Sequence, residues 1–226
     1  MTQVPQALMC KALHHCFEKR GLPRRIKIDN GLPLVHPQER DLPTLTVLWW
    51  VGLGIEVVLN KPRCPQQNGT VENLQGTCYR WAEAPKCVSN EHLQAQLEEA
   101  GRIQRSAFRL RRHQNKTRQE IYPQLDTNPR KFSLQHLEQC FDYGRVKEYL
   151  AQKVWHRTIK QGGGIKFANI DIYVSKKMAA QPVTITFDPI EEQLIVRATD
   201  HTLLKTCSNI PFGKENILNF ANLSKN

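Results

Sequence analysis

Apolar positions recur at helical spacing near the start of the chain. Leu8, Leu13 and Phe17 predict a helix over residues 3–19, ended by Gly21-Leu22-Pro23. Residues 24–28, Arg-Arg-Ile-Lys-Ile, alternate and predict a short strand that stops at Asp29-Asn30-Gly31. A loop with Pro33 and Pro37 follows. Residues 43–51 predict a second helix with Pro43 in its first turn, Trp49 and Trp50 packed onto a sheet, and Gly52 and Gly54 as its stop. Residues 55–59 are apolar and β-branched, as in a buried strand. Beyond Pro62 and Pro65, helices are predicted over 70–84, where Pro85 breaks the pattern, and over 90–112. The order α-β-α-β-α-α with short connections is typical of half an α/β sheet.

After Pro129 the texture changes. Residues 133–140 predict a short helix, and from Val146 the pattern turns strand-like. Residues 154–160 lead into Gln161-Gly162-Gly163-Gly164, a hairpin turn. Residues 165–175 form one alternating segment marked by Ile170, Ile172 and Val174. Strands over 183–187, 194–198 and 202–206 follow, separated by Asp188-Pro189 and Asp200-His201. About five short strands in such a span suggest a small β-barrel or sandwich. The tail from Ile210, with its Asn and Lys, is expected to be poorly ordered.

Composition narrows the class. The 226 residues are 40% hydrophobic and 23% charged, which suits one large or two small globular domains. No apolar run approaches the length of a membrane span, and the first residues lack a secretory layout. Seven Cys at irregular spacings point to a reducing, cytoplasmic setting. The net charge of +11 favours a polyanion as partner. Residues 102–160 hold most of that surplus, with 14 basic and 5 acidic side chains. Arg102, Arg105, Arg109, Arg111, Arg112, Lys116 and Arg118 follow one another with no acid between them. Phosphates would neutralise such a run, which is predicted to lie on the end of the fourth helix.

Two carboxylates stand out by placement. Asp29 ends a strand, where ligands of α/β sheets bind, and Glu72 opens a helix. Taken singly, Asp29 also reads as a turn residue and Glu72 as an acid complementing a helix dipole. Together they could hold Mg²⁺ through oxygen ligands, in the manner of sites that cut phosphodiesters.

The flanking residues carry a resemblance. Ile28-Asp29-Asn30-Gly31, then Trp50-Val51-Gly52-Leu53-Gly54-Ile55-Glu56-Val57, then Lys61-Pro62-Arg63-Cys64-Pro65-Gln66-Gln67-Asn68-Gly69-Thr70-Val71-Glu72 are similar to the integrase core of DDE-type transposases and retroviral integrases. The likeness covers residues 1–118. It implies an RNase H-like α/β fold that cuts and joins double-stranded DNA with Mg²⁺ or Mn²⁺. Asp29 and Glu72 would be its second and third metal-binding catalytic acids, and Asn68 and Gly69 would shape the active-site loop. Lys61, Arg63 and Arg80 would touch DNA beside the basic run. Residues 119–150 would be a linker with a short helix. Residues 151–208 resemble the small β-domain that follows the core in many bacterial transposases, and 209–226 would be a tail. A bacterial, nucleoid-associated location follows from the same likeness.

The sequence also departs from that family. No Asp precedes Asp29, and the earlier Glu18 lies on the predicted helix. The family's first acid and three opening strands are therefore expected to be absent, leaving strand 24–28 as a free edge. The first expectation is an N-terminally truncated transposase, inactive alone and paired with further copies or intact transposase subunits. The second is a DNA-binding regulator of an intact transposase. The third is an enzyme that recruits Glu39 or Asp41 as a substitute acid.

Overall fold

The computed structural model describes residues 6–29, 31, 34, 41–61, 64–125 and 127–222. Its contacts divide the chain into two compact units, residues 1–59 with 132–226, and residues 60–131. These limits differ from the predicted ones at 118, 150 and 208.

The first unit mixes helices with small sheets. It opens with α1 (Gln6–Arg20), whose inner face carries Cys10, His14 and Phe17. Strand β1 (Arg25–Ile28) pairs in parallel with β2 (Glu56–Leu59), from Arg25 opposite Glu56 to Ile28 opposite Leu59. Parallel neighbours need a crossover, and α2 (Leu45–Gly52) supplies it. Thr44 caps α2 by accepting from the Val47 N–H. Its sequence, Leu-Thr-Val-Leu-Trp-Trp-Val-Gly, has no charged position, so α2 is buried nearly all round.

Much of what covers α2 comes from the later part of the chain. Helix α7 (Tyr143–Ala151) and helix α8 (Lys214–Asn222) both pack on it. The strand-like reading from Val146 is corrected here: Val146 and Leu150, four apart, are the buried face of α7. Asp142 starts this helix by accepting from the Gly144 N–H at 2.8 Å. The tail expected to be poorly ordered contains α8, with Ile217, Leu218, Phe220 and Ala221 buried. Residues 134–140 form a short 3₁₀ turn and α6 (Leu137–Cys140), which delivers the Phe141 ring against Gly52.

The β-region holds five strands plus an extra hairpin strand. A four-stranded antiparallel sheet runs β10 (Leu203–Cys207), β9 (Gln193–Ala198), β8 (Pro182–Asp188), β5 (Val154–Thr158). Along β8 the buried positions alternate as Val183, Ile185 and Phe187, so one face meets the core. Residues 165–175 are two strands, not one: β6 (Gly164–Phe167) and β7 (Ile170–Tyr173) turn at Ala168 and Asn169. Both turn residues have positive φ, 49° and 65°, as a two-residue hairpin demands. Trp155 is 1% exposed and lies edge-on to Phe167, with centroids 5.2 Å apart. One apolar cluster runs from Phe17 through Trp49, Trp50 and Trp155 to Ala221. Asp41 is fastened to this sheet: Trp155 donates to its carbonyl at 3.1 Å, and Arg157 grips its carboxylate at 2.7 and 3.0 Å.

The second unit contains α3 (Gly69–Trp81), α4 (Asn90–Ser106), the short strands β3 (Arg109–Leu110) and β4 (Lys116–Thr117), and α5 (Arg118–Ile121). Ser89 caps α4 by accepting from the His92 N–H at 3.1 Å. The fourth helix therefore stops at Ser106, six residues before its predicted end. Phe108 explains the stop, because its ring leaves the helix to stand edge-on to Trp81 at 5.5 Å.

Candidate functional site

Asp29 follows the carboxyl end of β1, where the register leaves β1 and β2 ending together. Its side chain is held in a tight turn, with Oδ1 accepting from the Gly31 N–H at 3.0 Å. Asn30 lies outside the described residues. Asp29 belongs to the first unit and Glu72 to the second.

In the second unit, the segment after β2 is shaped by amides. The Asn60 side chain, 6% exposed, donates from Nδ2 to Asn68 Oδ1. Gln67 Oε1 accepts from the Lys61 N–H at 3.2 Å. A 3₁₀ turn over Pro65–Gln67 then leads into α3, whose first residue is Gly69. Glu72 sits exposed in that first turn, and its N–H donates to the Asn68 carbonyl at 3.0 Å. The Asn-Gly-x-x-Glu string is thus a loop tied down by one side-chain bond and a helix start that presents a carboxylate. Arg80, in the last turn of α3, donates to Thr77 Oγ1 at 3.3 Å. Arg63 lies outside the described residues.

The metal reading meets a limit in the donors. Among the described residues, no three His, Cys, Asp or Glu side chains gather into a group that could hold an ion. Asp29 and Glu72 alone are too few for the two-ion chemistry of phosphodiester transfer. Glu39 lies outside the described residues, and Asp41 is committed to Arg157. Burial alone would raise the Asp41 carboxyl. The hydrogen bond and charge of Arg157, helped by its own backbone N–H and by His156, outweigh that and hold it below the ordinary aspartate range. Cys10 and His14 do not make a metal pair with any third donor among the described residues. Burial pushes the Cys10 thiol up to about 11 and pulls His14 down against the opposing charge of Glu18.

The basic run is brought together, but only its first two members lie on the fourth helix. Arg102 and Arg105 are on α4, whereas Arg109 to Arg118 belong to a hairpin and to the first residue of α5. Thr117 and Glu120 close the hairpin with a capping box. Thr117 Oγ1 accepts from the Glu120 N–H at 3.2 Å, and Glu120 Oε2 from the Thr117 N–H at 2.6 Å. These bonds to Thr117, with the charges of Arg109 and Lys116, keep the Glu120 carboxyl below its usual range. Sequence reasoning missed Thr117 and Glu120, although Thr-x-x-Glu before an apolar residue is a readable signature.

Neither models of known protein families nor curated protein sequences match this chain. Among the described residues, no helix is long and apolar enough to cross a membrane.

Proposed function

We propose that the chain acts on duplex DNA as part of a transposition or integration machinery of the integrase-core type, with an RNase H-like arrangement in residues 1–118. The observation that supports this most is the parallel β-α-β unit with an acid directly after its first strand. From the carboxyl end of its second strand, the chain continues into the tied loop and the helix that presents Glu72. The carboxyl ends of strands are where open α/β sheets bind their ligands. Asp29 and Glu72 are its two candidate ligands for Mg²⁺ or Mn²⁺, and the described residues supply no third. By itself the chain is expected to bind DNA without cutting it.

A second reading is a DNA-binding regulator of an intact transposase. It is favoured by the basic hairpin presented to solvent. One experiment tests the DNA reading that both share and asks whether the chain cuts by itself. Supercoiled plasmid is incubated with the chain in Mn²⁺, with Asp29→Asn and Glu72→Gln run beside it, while duplex binding is followed by anisotropy. Binding that survives both substitutions, with no nicking, fits both the regulator and a transposase chain that is inactive alone. Nicking that disappears with Glu72→Gln establishes an enzyme. Absence of any duplex binding refutes both.

A further inference from the structure

The basic run divides into two sets. Arg102 forks onto Glu99, with Nε at 2.7 Å and Nη2 at 2.6 Å. Arg105 folds back along α4, so that a methyl group added at Gly101 would lie 3.2 Å from its Nη1. Arg109 donates to the Asn115 carbonyl at 2.9 Å and stands 3.9 Å from Glu120. Arg118 donates to the Gln104 carbonyl at 2.9 Å and lies over the Phe108 ring at 5.8 Å. Each of these cations already has work inside the unit.

Arg111, Arg112 and Lys116 differ. All three are exposed. Among the described residues they form no side-chain hydrogen bond, ion pair or ring contact; Lys116 acts on Glu120 only as a nearby charge. They surround the tip of the β3–β4 hairpin. Arg111–His113 make one 3₁₀ turn, and Gln114 and Asn115 follow with φ of 56° and 58°. The tip closes where the Asn115 N–H donates to the Leu110 carbonyl at 3.1 Å. Below it, Leu110 pairs with Lys116 and Arg109 with Thr117, and the capping box locks the base.

We propose that this tip is the phosphate-contacting element for duplex DNA, and that Arg109 and Arg118 build and brace it. The inference rests on the DNA reading above and refines it. A small, braced protrusion carrying two guanidinium forks and one ammonium suits a phosphate backbone. Single-stranded binding would call for exposed aromatic rings on which bases stack. The tip has His113, half-buried, and no Phe, Tyr or Trp. The nearby Phe108 is already engaged by Trp81 and Arg118.

The test uses the full chain, a labelled 30-base-pair duplex and a single strand of the same length. Binding is measured by anisotropy from 50 to 200 mM NaCl. Each phosphate contact contributes about −0.9 to the slope of log K against log salt. Changing Arg111, Arg112 and Lys116 together to Gln should reduce the slope by about 2–3. The fold loss of affinity across that salt range should then shrink by about 40-fold. Arg118→Gln, which breaks the tie to the Gln104 carbonyl, should keep the wild-type slope and lower the melting temperature instead. Circular dichroism melts of the triple variant confirm that it is folded; if it is not, Arg111→Gln alone, expected to remove about one unit of slope, carries the test. A wild-type slope in the folded tip variant overturns the assignment while leaving DNA binding intact. Tighter binding of the single strand overturns the duplex assignment. If the unaltered chain binds neither probe, it is the DNA reading that falls.

Discussion

Replacing Gly52 by Ala would place a methyl group 2.1 Å from Cε2 of Phe141, 2.5 Å from Cδ2 and 2.7 Å from Cζ. Carbon atoms rest about 3.5–4.0 Å apart, so the ring must retreat by about 1.4 Å. It has little room, being 5% exposed within the shared core. The backbone on either side is pinned as well. The Phe141 N–H donates to the Leu137 carbonyl and the Asp142 N–H to the Gly52 carbonyl, each at 3.0 Å. Overpacking of this kind costs about 1–3 kcal/mol. Alanine offsets up to about 1 kcal/mol through its better helix propensity. Gly52→Ala should therefore destabilise the first unit by about 1–2 kcal/mol. Urea unfolding followed by tryptophan fluorescence reads this unit well, since Trp49, Trp50 and Trp155 all lie in its core. In a Phe141→Leu background the penalty should shrink by about 1 kcal/mol or more, because the two residues touch. An unchanged or higher midpoint in Gly52→Ala, or the same penalty in both backgrounds, would refute the packing of residue 141 on α2.

Two further outcomes follow from the same structure. The Asp41 carboxyl has a folded pKa below its unfolded value, so the unfolded chain binds more protons as pH falls. The stabilisation it provides is full above the ordinary aspartate range and fades as pH drops through the folded pKa. Asp41→Asn should flatten the fall in the urea midpoint below about pH 4, and an unaltered profile would dismiss the Arg157 clamp. Ala180 sits exposed at a φ of 64° while its N–H donates to the Ile159 carbonyl at 2.8 Å. Ala180→Gly should raise stability by about 0.5–1 kcal/mol, and a lowered melting temperature would count against the left-handed geometry.

The parts of the fold that sequence pattern conveys are those where local chemistry and burial agree. Helix α2 reads correctly because an uncharged run bounded by Thr44 and Gly54 has few alternatives. Strands β1 and β2 stand out because their turn residues bracket them. Helix α7 is obscured because Val146, Tyr149 and Leu150 mix β-branched and aromatic residues with helical spacing, and the strands that follow bias the reading. Helix α8 is hidden by its Asn and Lys residues, although Ile217, Phe220 and Ala221 keep a three–four spacing. The end of α4 depends on a ring pair between Trp81 and Phe108, a tertiary contact no local pattern carries. For the candidate site, the sequence singles out Asp29, Glu72 and the basic run as candidates. It cannot sort the cations, because pairing with Glu99, Asn115 and Gln104 exists only after folding.

The split of the first unit into residues 1–59 and 132–226 has a consequence for biosynthesis. The surfaces of α2 that α7 and α8 cover stay bare until those helices leave the ribosome. At bacterial or eukaryotic elongation rates of about 5–20 residues per second, residues 1–59 wait on the order of 10–30 s for Ala221 to emerge. Throughout that interval the part of α2 that α8 covers is open to chaperones and to other nascent chains. The intervening 60–131 segment needs no such partner from downstream and can close first. Yield in a cell should therefore depend on holdase supply and on translation speed through the last third of the message.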